Sequence, residues 1–114
     1  MEDCLFCKII EGVIPSSKVY EDEICYAFRD INPQAPTHVL LVPKKHITGM
    51  NEIDQLDEKT IAALLNTAKK IAVQEGIAES GYRVISNCGA DACQSVQHMH
   101  IHILGGAPMS DKMA

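Results

Sequence analysis

The sequence predicts an α+β protein: one sheet with its main helix packed on one side. Three patterns lead there. Residues 57–75 place Ile61, Leu64, Leu65, Ala68, Ile71 and Ala72 on one stripe at helical spacing. "HVLLVP" is a nearly continuous apolar run, as in a strand covered on both faces. "HMHIHIL" alternates histidine with apolar residues, the period that sends successive side chains to opposite faces of a strand. Further strands outnumber helices in the remaining chain, which favours a sheet with helices beside it.

Taken in order, "CLFCKIIEG" reads as a short helix closed by Gly12. After Pro15, "SKVYEDEICYAFRD" reads as two strands joined by the acidic turn "EDE". The prolines of "INPQAPT" forbid regular structure and make it a connecting loop. The strand "HVLLVP" follows, then the long helix, with Asp57 as N-cap and Gly76 as C-cap. "GYRVISN" and "HMHIHIL" supply the final strands, separated by the loop "CGADACQSVQ". No internal repeat, low-complexity segment or long linker interrupts the chain, so residues 1–114 are expected to form one domain.

Composition excludes several function classes. A formal charge of −5 without a basic run argues against a nucleic-acid polymer as partner, because backbone binding needs clustered Lys and Arg. Any nucleotide bound here is expected to be small. The acidic "MEDCLFC" start does not resemble a secretory signal, and no apolar run reaches the length of a membrane span. A cytoplasmic location is therefore expected. The five cysteines are an odd count, better suited to thiols or metal ligands than to a disulfide framework.

The chemistry concentrates in His98, His100 and His102. On a strand, all three imidazoles share one face while Met99, Ile101 and Ile103 anchor the other. A strand that happens to carry histidine on its solvent side is the plain alternative; three in register point to a metal or catalytic role. A neutral imidazole at His100 could attack an electrophilic phosphorus while its neighbours fix its tautomer or move a proton. Ser95 and Gln94 add a hydroxyl and an amide suited to phosphate oxygens or a leaving group. Ser95 taken alone is as readily a loop residue satisfying its own backbone. Cys4 and Cys7 form a C-x-x-C pair, which two imidazoles would complete as a tetrahedral zinc site; two buried thiols or a redox pair compete with that reading.

With these segments in hand, the chain resembles the histidine triad (HIT) superfamily, Hint branch. "HMHIHIL" fits the signature His-φ-His-φ-His-φ-φ, with φ apolar, and the likeness extends through "FCKIIEGVIPSSKVYED", "AFRDINPQAPTHVLLVPKKHI" and "NCGADACQSVQHMHIHILGG". The resemblance implies a five-stranded antiparallel sheet with two helices, two protomers pairing into a ten-stranded sheet, and chemistry at the α-phosphorus of a nucleotide. Substrates would be purine nucleoside phosphoramidates of the adenosine phosphoramidate or lysyl-AMP type. A purine nucleotide such as AMP or GMP would occupy the site.

His100 matches the family's nucleophile, transiently nucleotidylated before water releases AMP. His102 and His38 match its supporting histidines, and His98 opens the triad. Ser95 matches the residue that assists the leaving amine; Asp30, Asn87 and Gln94 match ribose or phosphate contacts. Phe6, Ile9, Phe28 and Ile31 match the apolar base pocket, although core packing alone would also account for all four. The resemblance further implies a structural zinc held by Cys4, Cys7, His46 and His98; otherwise His46 is a surface histidine beside Lys44 and Lys45.

Two departures from the Hint pattern stand out. Ala92 and Cys93 replace two glycines before Gln94 and Ser95, and the tail "GGAPMSDKMA" lacks an aromatic residue some members carry. Cys93 reads as ordinary packing or as an oxidation-sensitive thiol. Three function classes follow: a phosphoramidase, with a diadenosine polyphosphate hydrolase as its enzymatic rival; a nucleotide-binding regulatory module with incidental turnover; and a zinc-stabilised structural module.

Overall fold

A computed structural model describes residues 3–112, so the last two residues of the C-terminal tail lie outside it. Five strands form one antiparallel sheet: β1 (Lys18–Glu21), β2 (Cys25–Arg29), β3 (Thr37–Pro43), β4 (Tyr82–Ile85) and β5 (Ile101–Gly105), in the order β1-β2-β3-β5-β4. Helix α1 (Leu5–Ile10) and helix α2 (Glu58–Gln74) complete the regular structure, with short 3-10 turns at Met50–Gln55 and Ala90–Ala92 that the residue pattern does not announce.

Local chemistry explains the elements. Asp22 accepts from the backbone N–H of Ile24 and Cys25, both at 2.8 Å, so the acidic turn between β1 and β2 is built by its own side chain. Asp57 caps α2 by accepting from Thr60 N–H at 2.8 Å, and Gly76, at φ +74°, leaves the helix through the left-handed region that glycine tolerates best.

The two helices lie on opposite faces of the sheet. Val39 and Leu41 of β3 join α2 through Leu64, Ala68 and Ile71, whereas Leu40 and Val42 join α1 through Phe6, Cys7 and Ile9. This is the two-sided cover that "HVLLVP" predicts: all six of its residues are buried in β3. Met99, Ile101 and Ile103 enter the α2 side. In the β3–β5 ladder His102 lies opposite Leu40, so the histidine face is the α1 face.

Two expectations need correction. The ladder of β5 begins at Ile101, not at His98, because the neighbouring strand ends at Pro43, which has no N–H, and Met99 N–H donates instead to Ile47 O at 2.7 Å. The period-two alternation nevertheless persists through this irregular stretch. Leu65 does not join the buried stripe of α2: it is 59% exposed, beside Val84 of the edge strand β4 at 46%. The stripe is wider than the sheet it covers, which leaves its margin in solvent. Among the described residues no helix is long and apolar enough to cross a membrane.

Candidate active site and metal centre

Five histidine rings form a row on the α1 face, with centroids 4.8 Å apart for His46–His98, 5.1 Å for His100–His102 and 5.1 Å for His38–His102. Phe6 closes the row, its edge-to-face contacts reaching His98 at 6.0 Å and His100 at 5.0 Å. Backbone groups then determine which nitrogen of each ring carries its proton. A carbonyl only accepts and a backbone N–H only donates.

His100 donates through Nδ1 to the carbonyl of His98 at 2.8 Å, which leaves the lone pair on Nε2. Its own carbonyl accepts from the Ser86 hydroxyl at 3.0 Å, a brace that no sequence pattern marks. His38 accepts from Gln34 N–H at Nδ1, 3.0 Å, so a neutral His38 carries its proton on Nε2. That nitrogen donates to Nδ1 of His102 at 2.9 Å, with Asp30 Oδ2 at 3.5 Å from it. His102 therefore holds its own proton on Nε2. The result is an unprotonated nitrogen on His100 beside a ring that can donate. Burial, reinforced by the neighbouring His100 and His38, pushes His102 down to about 4, which keeps that ring neutral at ordinary pH.

Ligand atoms of Cys4, Cys7, His46 and His98, all within 4.8 Å of one another, gather at the other end of the row. His98 donates through Nε2 to Pro43 O at 2.8 Å, so its Nδ1 lone pair faces the cluster. From that Nδ1, Cys4 Sγ lies at 3.3 Å, Cys7 Sγ at 3.5 Å and His46 Nδ1 at 3.1 Å. Cys7 N–H donates to Cys4 Sγ at 3.3 Å, so the N-cap of α1 is itself a prospective ligand. Two thiols and two inward nitrogens match the donor set and number of a closed tetrahedral zinc site. Without a cation, burial and then the Cys4 hydrogen bond push the Cys7 thiol up to about 11, and burial pushes His98 down to about 4. A bound cation reverses the first effect and is served by the second. His46 is thus half-buried in the cluster rather than free beside Lys44 and Lys45.

The remaining predicted residues are placed unevenly. Phe6, Ile9 and Phe28 are buried together under α1, whereas Ile31 is 92% exposed on the loop after Asp30. Core packing therefore accounts for three of the four apolar residues and cannot account for Ile31. Gln94 spends its amide on the loop: it accepts from Gly89 N–H and donates to the carbonyls of Thr48 and Val96. Ser95 is exposed and lines, with Thr48, Val96 and His46, a cleft of about 570 Å³ beside the Cys4–Cys7–His46–His98 cluster. Asn87 is half-buried just beyond β4. Cys93 is exposed, which removes the packing reading, and its φ of +59° is the left-handed conformation that favours glycine.

Comparison with known proteins decides the family. The sequence model of the HIT domain matches residues 11–109. The chain belongs to the HIT domain family. It is 46% identical over 113 residues to the purine nucleoside phosphoramidase of Escherichia coli, covering 99% of this chain and 95% of that protein. A 14 kDa zinc-binding protein of Zea mays is 51% identical over 108 residues, covering 93% and 84% of the two chains. The solved HIT family hydrolase of Clostridium thermocellum superposes with a TM-score of 0.95 at 47% identity, covering 100% of this chain and 99% of that one. A HIT family hydrolase from Legionella pneumophila gives 0.91 at 49% identity, with 95% and 96% covered. This HIT protein is accordingly a hydrolase with the fold of its family, and its sheet is the five-stranded antiparallel one that the resemblance implies.

Proposed function

We propose that this HIT protein hydrolyses purine nucleoside phosphoramidates and releases AMP through a nucleotidyl-His100 intermediate. The observation that carries the reading is the proton arrangement of His100: Nδ1 is spent on the His98 carbonyl, so Nε2 is left as a neutral nucleophile. Its lone pair attacks the α-phosphorus, the P–N bond breaks, and the amine leaves with a proton passed through the Ser95 hydroxyl, which the proton of the water that attacks in the second step replaces. The Ser95 hydroxyl assists that departure. His102, whose Nδ1 accepts from His38 Nε2–H with Asp30 beside that same nitrogen, donates through Nε2 to the phosphoryl oxygens as charge builds on them. Water then attacks the same phosphorus, the bond to His100 breaks, and AMP is released with His100 restored.

Asp30 and Asn87 hold ribose and phosphate, Gln94 shapes the phosphate loop through its bonds to Gly89, Thr48 and Val96, and Phe6, Ile9, Phe28 and Ile31 form the base pocket. The 92% exposure of Ile31 supports this, because an isoleucine standing in water gains by covering an apolar ring. Cys4, Cys7, His46 and His98 would hold zinc, which would supply a structural tether between α1 and the sheet. Five free thiols agree with a reducing, cytoplasmic setting. The single HIT domain forms a homodimer through the edge strand β4, where Val84 and Ile85 are exposed and Val84 adjoins Met50 and Leu65, and two sheets become one of ten strands.

Release of AMP from adenosine phosphoramidate by wild type and His100→Ala tests the proposal. Turnover is expected in the first and none in the second, with AMP binding retained by both. Two inactive proteins that still bind AMP would replace the hydrolytic substrate assignment with a binding role.

A further inference from the structure

Between β2 and β3 the chain has to turn with almost nothing beneath it. Ile31, Asn32, Pro33, Gln34 and Pro36 are exposed and Ala35 is half-buried, so the core does not fix the shape of the loop. Its two ends are held. Asp30 N–H donates to His38 O at 3.0 Å, and Pro36 lies against Gly106, just past β5, where an added Cβ would meet the Pro36 Cβ at 3.0 Å. Between them one side chain shapes the turn. Asp30 Oδ1 accepts from Asn32 N–H at 2.8 Å, an Asx turn, and Gln34 Nε2 donates to Asn32 O at 3.1 Å. The turn delivers Gln34 N–H to His38 Nδ1 at 3.0 Å, while the second carboxylate oxygen of Asp30 stands 3.5 Å from His38 Nε2.

We propose that Asp30 is a positioning residue for the proton chain: through its Asx turn it aims the Gln34 N–H that keeps the His38 proton on Nε2. The inference rests on the phosphoramidase reading and gives Asp30 a task besides the ribose contact. A neutral imidazole has two tautomers, and only the form bare at Nδ1 can accept from Gln34 N–H. That form alone donates from Nε2 to His102 Nδ1, which leaves the His102 proton on Nε2, where it meets the phosphoryl oxygens. The donor at residue 34 is a main-chain group, so its aim depends on the backbone angles of residues 31–34. Pro33 fixes φ at one of these positions, and the Asp30–Asn32 bond restrains the two before it. Without Oδ1 the exposed turn exchanges that bond for water, and Gln34 N–H loses its aim. His38 then populates both tautomers, and His102 with it. Loss of Asp30 is therefore expected to lower kcat even for a substrate with no ribose hydroxyls to bind.

The test compares wild type, Asp30→Ala, Asp30→Asn and Asn32→Pro on adenosine phosphoramidate and on its dideoxy analogue, which lacks both ribose hydroxyls. Single-turnover amine release gives the rate, and a long-range ¹H–¹⁵N spectrum of histidine-labelled protein gives the His38 tautomer. Asparagine keeps an oxygen for Asn32 N–H, whereas Asn32→Pro removes that N–H and leaves the carboxylate in place. In wild type and Asp30→Asn, His38 should show a protonated Nε2 and a bare Nδ1. In Asp30→Ala and Asn32→Pro the two nitrogen signals should move toward each other, and amine release from both substrates should slow by about tenfold or more. Asp30→Asn should stay within about threefold of wild type on the dideoxy analogue. A rate loss in Asp30→Ala that vanishes with the dideoxy analogue would overturn the inference and leave Asp30 a ribose ligand alone. So would an unchanged His38 signature in Asp30→Ala and Asn32→Pro. An Asp30→Asn protein as slow as Asp30→Ala would also overturn it, because charge beside Nε2, and not the turn, would then set the tautomer. If Asp30→Ala fails to fold, Asn32→Pro carries the test, since its change is confined to the exposed turn. Wild-type protein that releases no amine while its spectra follow the turn would overturn the phosphoramidase reading and leave the hold of the turn on His38 standing.

Discussion

Replacing His38 by phenylalanine tests the proton chain at its middle. His38 has a side chain only 3% exposed, and its Nε2–H reaches His102 Nδ1 at 2.9 Å. Phenylalanine fills the same space but donates nothing, so His102 Nδ1 becomes an acceptor without a partner in a largely buried row. Leaving such a group unsatisfied costs about 1–3 kcal/mol. His102 escapes the cost by moving its proton to Nδ1, which removes the donor from the nitrogen that faces charge building on the phosphoryl group. At about 1.4 kcal/mol per tenfold in rate, the expected loss is about 5- to 150-fold in kcat. KM should change little, because the lost interaction strengthens only as charge develops. His38→Gln places an amide donor near the position of the ring nitrogen and should recover part of the loss. Steady-state and single-turnover amine release from adenosine phosphoramidate provide the assay. A kcat within about twofold of wild type for His38→Phe, or a loss that appears only in KM, would refute the assigned proton chain.

Other outcomes can be checked independently. His102 sits at about 4 in the folded protein against 6.5 for a free imidazole, so between those values the unfolded chain binds more protons. The contribution of His102 to stability is complete above about 6.5 and is lost as pH falls toward 4. Urea unfolding at pH 7 and pH 5 should therefore show lower stability at pH 5 and a smaller difference in His102→Asn; greater stability at pH 5 would contradict the assignment. Ile31→Ser should raise KM for adenosine phosphoramidate with Tm almost unchanged, because a side chain 92% exposed contributes little to folding. A lowered Tm with normal KM would return Ile31 to a structural role. Val84→Arg places a charge on the exposed edge strand β4 and should give monomers by sedimentation equilibrium, whereas a persisting dimer would move the interface elsewhere.

The amino-acid order alone determined much of this protein. Alternation in residues 98–104, the apolar run at β3 and the capped stripe of α2 each state a local period, and a period needs no partner to be read. The spacing of His98, His100 and His102 likewise marks the chemistry directly. Tertiary structure decided what depends on contact between distant segments. Cys4 and His98 meet across 94 positions because α1 lies on the face of the sheet that Leu40 and Val42 share, and no local pattern carries that choice. Tautomers were equally invisible, since they follow from main-chain carbonyls at Pro43 and His98 and the backbone N–H of Gln34, groups that every sequence contains. Exposure of Ile31 and Leu65 was decided by the limits of the sheet and loop beneath them. A sequence states which residues are apolar and at what period; only the packed chain states how much neighbouring surface there is to cover them.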